Sequence, residues 1–196
     1  HVAACALSLA AIYGWRNVSL GEIAEEAGLS LADLRGLYAS KAAILAGFTA
    51  EIDAAVLATK FDHGEDDSAR DRLFDVLTKR FELLTPHKGG LAAVARECAG
   101  DPCAALCRCC GLLRSMTWML EAAGIPSAGL NGRIRIKGLA LIFASTLPVW
   151  LRDDSEDMAK TMAALDRRLA RAESLAGMLW RGRRTEAPEA EPPAAP

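Results

Sequence analysis

Three thiols make the densest reactive pattern in this chain. Cys103, Cys107 and Cys110 recur at i, i+4 and i+7, one stripe of a helix, with Cys109 beside them and Arg114 further along. Thiolates so placed, favoured by a guanidinium, could sense an oxidant. They could also share a metal ion, although no further ligand stands at metal-binding spacing. Service as small apolar filling accounts for the stripe most simply. A disulfide inside the helix is disfavoured, because side chains on neighbouring turns point the same way. His63 and His87 stand alone, with no second His and no paired carboxylate at ligand spacing. There is no Gly-rich phosphate loop, no Ser/His/Asp set and no acid/base pair of carboxylates with a plausible pocket. The chain therefore reads as a non-enzyme, without cofactor or metal.

Binding chemistry is left, and it lies near the N-terminus. Arg16, Arg35 and Lys41 could hold phosphates. Ala32, Asp33, Gly36 and Leu37, bracketed by Ser30 and Tyr38, could approach base edges, an acid accepting from cytosine N4. The stretch Gly14 to Lys41 that carries them is punctuated as two short helices and a tight turn. Ser19 and Glu22 make a capping box, Leu20, Ile23 and Ala27 recur on one face, and Gly28 can leave the helix with positive φ. Ser30 then caps a second helix, about Leu31 to Ala39, and Ser40 a third. These are the proportions of a helix-turn-helix. At about 100° per residue, Leu31, Leu34 and Tyr38 should pack inward. Ala32, Asp33, Gly36 and Leu37 should face out, with Arg35 at the flank. Residues 1–48 hold three bases, Arg16, Arg35 and Lys41, against four acids, a formal charge of −1. A dimer with so few cations per half should bind DNA weakly and with a shallow salt dependence.

The chain has 196 residues, is 52 % hydrophobic and carries a net charge of −2, so bulk charge does not recruit nucleic acid. No period-2 strand pattern stands out, and the expected class is all-α, with about nine helices in two parts. No apolar run reaches the ~18 residues of a membrane span. The longest, Gly138 to Leu151, contains Ser145, Thr146 and Pro148. Six cysteines with four crowded together do not look like a secreted framework, and a reducing cytoplasm is the expected setting.

Helical spacing organises the rest. A first helix, about Val2 to Tyr13, should support the helix-turn-helix through Leu7, Leu9 and Ile12. A helix from Ser40 to about Phe61 should link it to a larger body. Ser68 to Thr85 pairs an inward stripe, Leu73, Phe74, Leu77, Phe81 and Leu84, with a mostly solvated face, Arg70, Asp71, Arg72, Lys79 and Arg80. Pro86 should end it, with His87 to Gly90 as a loop before a short helix from Leu91 to Ala99. The cysteine helix should run from an Asp101 cap to Gly124. Phe74, Phe81, Cys107, Met116, Trp118 and Met119 are candidate walls for a hydrophobic ligand. Arg133 to Leu151 is apolar almost all round, and Met158, Met162, Leu165, Leu169, Ala172, Ala176 and Leu179 make a heptad-like seam on the last helix. Leu139, Phe143 and Trp150, with Met158, Met162, Leu165 and Leu169, are the expected dimer interface.

The N-terminal stretch resembles the TetR family of bacterial transcriptional regulators. The matching residues are Gly14-Trp15, Val18-Ser19-Leu20, Ile23 to Gly28, Leu34, Tyr38, Ser40-Lys41 and Leu45. They include the aromatic that ends the recognition helix and the Ser-Lys pair that opens the next. The resemblance implies a homodimer on a palindromic operator in double-stranded DNA, a repressor responsive to a small hydrophobic ligand. The later part, Arg80 to Ala172, resembles the coenzyme Q biosynthesis lipid-binding family, which shares that fold without DNA recognition. Its matching pieces are Arg80-Phe81 before Pro86, Trp150-Leu151, Asp153-Asp154-Ser155, Asp157, Thr161 and Leu165-Asp166-Arg167-Arg168-Leu169. It implies an isoprenoid-binding accessory protein of ubiquinone synthesis. The expected organisation is a helix-turn-helix domain at 1–48, a ligand-binding and dimerisation domain at 49–180, and a disordered tail at 181–196.

Overall fold

Serine hydroxyls decide where four of the helices begin. Ser19, Ser30, Ser40 and Ser68 each accept a hydrogen bond from the backbone N–H three residues on, at 3.1 to 3.2 Å. The structure, a computed structural model, describes residues 1–64, 66–97 and 102–184, with side chains at 109–175 of the last stretch. Nine α-helices and one 3-10 turn make up the regular structure of the described residues.

Three helices form the N-terminal head: α1 (Val2–Tyr13), α2 (Leu20–Glu26) and α3 (Leu31–Leu37). Ser19 and Glu22 bond reciprocally, Glu22 also accepting from the Ser19 backbone N–H at 2.7 Å. Gly28 leaves α2 at φ +67, which lets the Leu29 N–H reach the Ala24 carbonyl at 2.8 Å and close the turn. In α1, Leu7 is buried, whereas Ile12, expected inward, is exposed.

The long α4 (Lys41–Ala58) leads from the head into the body. The body comprises α5 (Ala69–Leu84), a 3-10 turn (Thr85–His87), α6 (Lys88–Glu97), α7 (Pro102–Ala122), α8 (Gly129–Leu151) and α9 (Ala159–Arg184). One core joins the two parts: Leu7, Ile23 and Leu34 of the head belong to the same apolar cluster as Val56, Phe81, Met119 and Leu165. Polar side chains of α5 clamp its neighbours, Arg70 reaching Asp166 of α9 at 2.6 Å and Arg72 the Ala123 carbonyl at 2.8 Å.

The stretch His87 to Gly90, expected to be a loop, instead enters α6 through the 3-10 turn. Its glycines are there for packing. A Cβ on Gly90 would stand 2.2 Å from the Leu7 carbonyl oxygen, so only glycine lets α6 lie on the backbone of α1. Elsewhere α4 is shorter than expected, α8 begins earlier, and α9 begins later, after a turn in which Met158 takes φ +52. By length and composition α8 could cross a membrane. In this fold its inner face, Leu139, Ala140, Phe143 and Trp150, is core. Asp101, Ala176, Leu179 and the tail lie outside the residues whose side chains are described.

Candidate nucleic-acid interface and ligand site

On α3, Leu34 is buried while Ala32, Asp33, Arg35, Gly36 and Leu37 are exposed, with Ser30 at the cap. Leu31, expected to pack inward, is 60 % exposed. The helix is only seven residues long and touches its support chiefly through Leu34, so the flanking leucines fall outside that contact. Tyr38 turns back onto α4, where a Cβ on Gly47 would meet its ring at 2.8 Å. It supports α3 from behind rather than offering its ring to a groove.

Two of the three basic residues of the head are bonded within the fold. The Lys41 ammonium donates to the carbonyls of Trp15 and Val18, at 2.6 Å for the second, and lies 4.5 Å from the Trp15 ring centre. Expected to hold a phosphate, it instead fixes the loop between α1 and α2. The Arg16 backbone N–H donates to the Glu97 carboxylate, and its guanidinium donates to the Glu97 carbonyl at 2.8 Å. The Arg16 side chain remains exposed, as does that of Arg35.

Of the residues expected to line one pocket, Phe74, Phe81, Met116 and Met119 lie in or against the common core, and Trp118 does not. Phe81, Met116 and Met119 are fully buried, Phe74 is half-buried, and Trp118 stands 50 % exposed. Trp118 follows Met116 by about 200° around α7, which puts it on the other side. Cys107, like Cys103, lies outside the described side chains; Cys109 and Cys110 are exposed. A concavity of about 430 Å³ lies on α9 at Ala170, Arg171, Ser174 and Leu175. Another of about 240 Å³ lies where Ala4, Leu7 and Ser8 meet Pro86, His87 and Gly90. Neither includes the expected residues.

At the centre of the body is a polar group that the periodicity did not suggest. Arg80, assigned above to a solvated face, is 3 % exposed, and Asp53 of α4 is 8 % exposed. The guanidinium Nη1 donates to Asp53, and the Ser115 hydroxyl donates to the same carboxylate oxygen at 2.6 Å. The Met119 sulfur lies 3.9 Å from Nη1, and the Phe143 ring centre 5.4 Å from the guanidinium carbon. Burial pushes the Arg80 guanidinium down from its ordinary range, against the pull of Asp53. A signal was present in the sequence: Arg80 stands three residues after Leu77 and four after Val76, on the inward stripe of α5.

The expected dimer residues are also internal. Leu139, Phe143, Trp150, Leu165 and Leu169 are buried within their own chain, and Met158 and Met162 pack partly buried against that core. The seam of α9 closes on α8 and α5 of the same chain. Exposed apolar side chains lie instead on the other face of α8, at Leu130, Ile134 and Leu141, and at Leu175 of α9.

Among the described residues no group of three His, Cys, Asp or Glu could hold a metal. His63 stacks on Phe61 at 5.4 Å and lies 3.7 Å from Asp75, and His87 packs edge-on against Phe48.

The turn between α8 and α9 is a hydrogen-bonded knot. Asp153, 2 % exposed, accepts from the Ser155 hydroxyl at 2.5 Å, the Thr161 hydroxyl at 2.6 Å and the Thr161 N–H at 2.8 Å. Burial opposes its charge, but these donors overcome that and hold the carboxyl far below the ordinary range. The unfolded chain therefore takes up this proton first. The stability Asp153 contributes is complete above about pH 4 and is lost as pH falls below it. Urea midpoints taken from pH 7 to 3 should fall more steeply for the native chain than for Asp153→Asn; parallel curves would remove Asp153 from the balance.

Comparison with known proteins agrees with this architecture. A TetR transcriptional regulator from Nitrosomonas europaea superposes with a TM-score of 0.70 at 21 % identity, over 88 % of this chain and 95 % of that one. A TetR regulator from Rhodococcus sp. RHA1 gives 0.60 at 20 % identity, over 86 % and 93 %. A second Rhodococcus transcriptional regulator gives 0.50 at 21 %, over 92 % and 95 %. The fold is thus that of TetR regulators. The COQ9 family model matches residues 133–176, the α8–α9 segment that contains the Asp153 knot. No curated protein matches the sequence.

Proposed function

We propose that the chain is a cytoplasmic TetR-type transcriptional regulator, a dimeric repressor whose helical body takes a small hydrophobic effector. The outward face of α3 carries this reading: Ala32, Asp33, Arg35, Gly36 and Leu37 are all exposed on a helix capped by Ser30. Small side chains at 32 and 36 let the helix approach a groove floor, and Arg16 and Arg35 supply the phosphate contacts. Lys41 acts indirectly by holding the loop from Trp15 to Val18. Leu130, Ile134 and Leu141 of α8, with Leu175 of α9, offer the surface for a second copy. The expected test is titration of the protein onto DNA upstream of its own gene, against a scrambled duplex, across a salt series. Two cations per half-site give a log–log salt slope of about −4, which Arg35→Ala should make shallower by about 2. Absence of any sequence preference at low salt sinks the reading.

The COQ9 match on α8 and α9 favours a second reading, an isoprenoid-binding accessory protein of ubiquinone synthesis. The inward bonding of Lys41 also suits a head released from DNA work. Its signature is lipid extractable from the purified protein together with silence on DNA.

A further inference from the structure

The outward face of α3 is smooth, and its middle is carbon. Opposite the buried Leu34, at about 100° per residue, stand Ala32 and Gly36. A Cβ on Gly36 would meet nothing within 4 Å, so no contact inside the chain requires glycine there. Glycine weakens the middle of a helix and is favoured where a backbone must come close to another molecule. The two charged residues stand on the flanks. Asp33 is drawn back to the cap: its Oδ2 accepts from the Ser30 hydroxyl at 2.6 Å, while its N–H donates to the same hydroxyl oxygen at 3.1 Å. Arg35 lies on the other flank, exposed. Leu31 beside Arg35 and Leu37 beside Asp33, 60 % and 63 % exposed, widen the apolar surface on both sides.

We infer that α3 reads thymine methyl groups in the major groove, so that the base pairs it specifies are A·T, with Ala32 and Leu37 as the specificity-determining side chains. The thymine C5-methyl is the one apolar feature on the floor of that groove; everything else there is a donor or an acceptor. A C·G pair under Ala32 would bring only polar edges to a carbon surface and leave them without partners, whereas a T·A pair brings a methyl to bury. The missing side chain at Gly36 lets the helix come close enough for that contact, and Leu37 covers a neighbouring methyl from the flank. This rests on the reading that the head binds DNA, and is independent of what the body takes.

The test selects binding sites for the full chain from a randomised duplex library at low salt, then edits the recovered site. Its half-site should be centred on T·A pairs. Replacing one central thymine by uracil removes the methyl but keeps the pairing and the O4 acceptor. Binding should weaken by about fourfold for each half-site so changed. A 5-methylcytosine·guanine pair at the same place returns the methyl with a different polar edge, and should bind more like thymine than like unmodified cytosine. Leu37→Ala, a change to an exposed side chain, should lose the uracil penalty at one of these thymines; penalties kept at all of them strike Leu37 from the assignment. A selected site centred on G·C pairs, or uracil tolerated at every central position, overturns methyl reading and leaves a DNA-binding head. Recovery of no preferred sequence overturns both this inference and the reading on which it rests.

Discussion

Asp53→Ala should destabilise the protein by about 3–5 kcal/mol, because it strands the Arg80 guanidinium in the core. The two residues lie on α4 and α5, twenty-seven positions apart, and almost nothing of either reaches solvent. Removing one partner leaves the full desolvation cost of the other. Asp53→Leu combined with Arg80→Met removes both charges at similar volume and should recover most of the loss. Urea unfolding of the single and double variants reads this directly. A single-variant loss of under about 1 kcal/mol, the range of an exposed pair, would contradict the buried geometry. Ser115→Ala should cost less, because Asp53 keeps its cation.

Trp150→Ala should cost a comparable amount, about 3–5 kcal/mol. Trp150 is fully buried, and three other elements meet on it. Its indole N–H donates to the Thr85 hydroxyl at 3.3 Å, the Lys88 ammonium lies 5.7 Å from its ring, and Phe81 packs at 5.8 Å. Lys88 in turn donates to the Asp153 carbonyl, tying the start of α6 to the α8–α9 turn. Trp150→Phe keeps most of the packing and loses the indole hydrogen bond, so it should cost only about 1–2 kcal/mol. Equal losses for the two variants would show that the aromatic volume carries none of the stability.

The head was legible in the sequence because its determinants are local. Each cap spans three residues, and the Gly28 turn closes within five, so Ser19, Glu22, Ser30 and Ser40 could be read without knowing what packs where. The body was legible only as helices. Periodicity shows that a helix buries a face and is silent on what covers it. The seam on α9 therefore looked like a contact between chains, whereas Leu165 and Leu169 are covered by their own. The glycines after Pro86 looked like a breaker because the reason for Gly90, the Leu7 backbone, lies far away in the sequence, on α1. Arg80 was hidden for a related reason: a charged side chain on an inward stripe is read outward unless its partner is known. The cations of the head show the same limit, since Lys41 and Arg16 counted correctly as charges but are partly spent on carbonyl oxygens.

The seating of α6 on α1 makes the head inseparable from the body. Gly90 meets the Leu7 backbone, and the last residue of α6, Glu97, bonds both the backbone N–H and the guanidinium of Arg16. The head and the body therefore share a wall as well as a connecting helix. A cassette cut at the end of α3 or within α4 and grafted onto another body would lose that wall. Substitution on the exposed face of α3 leaves that wall in place, whereas exchange of the whole head removes it.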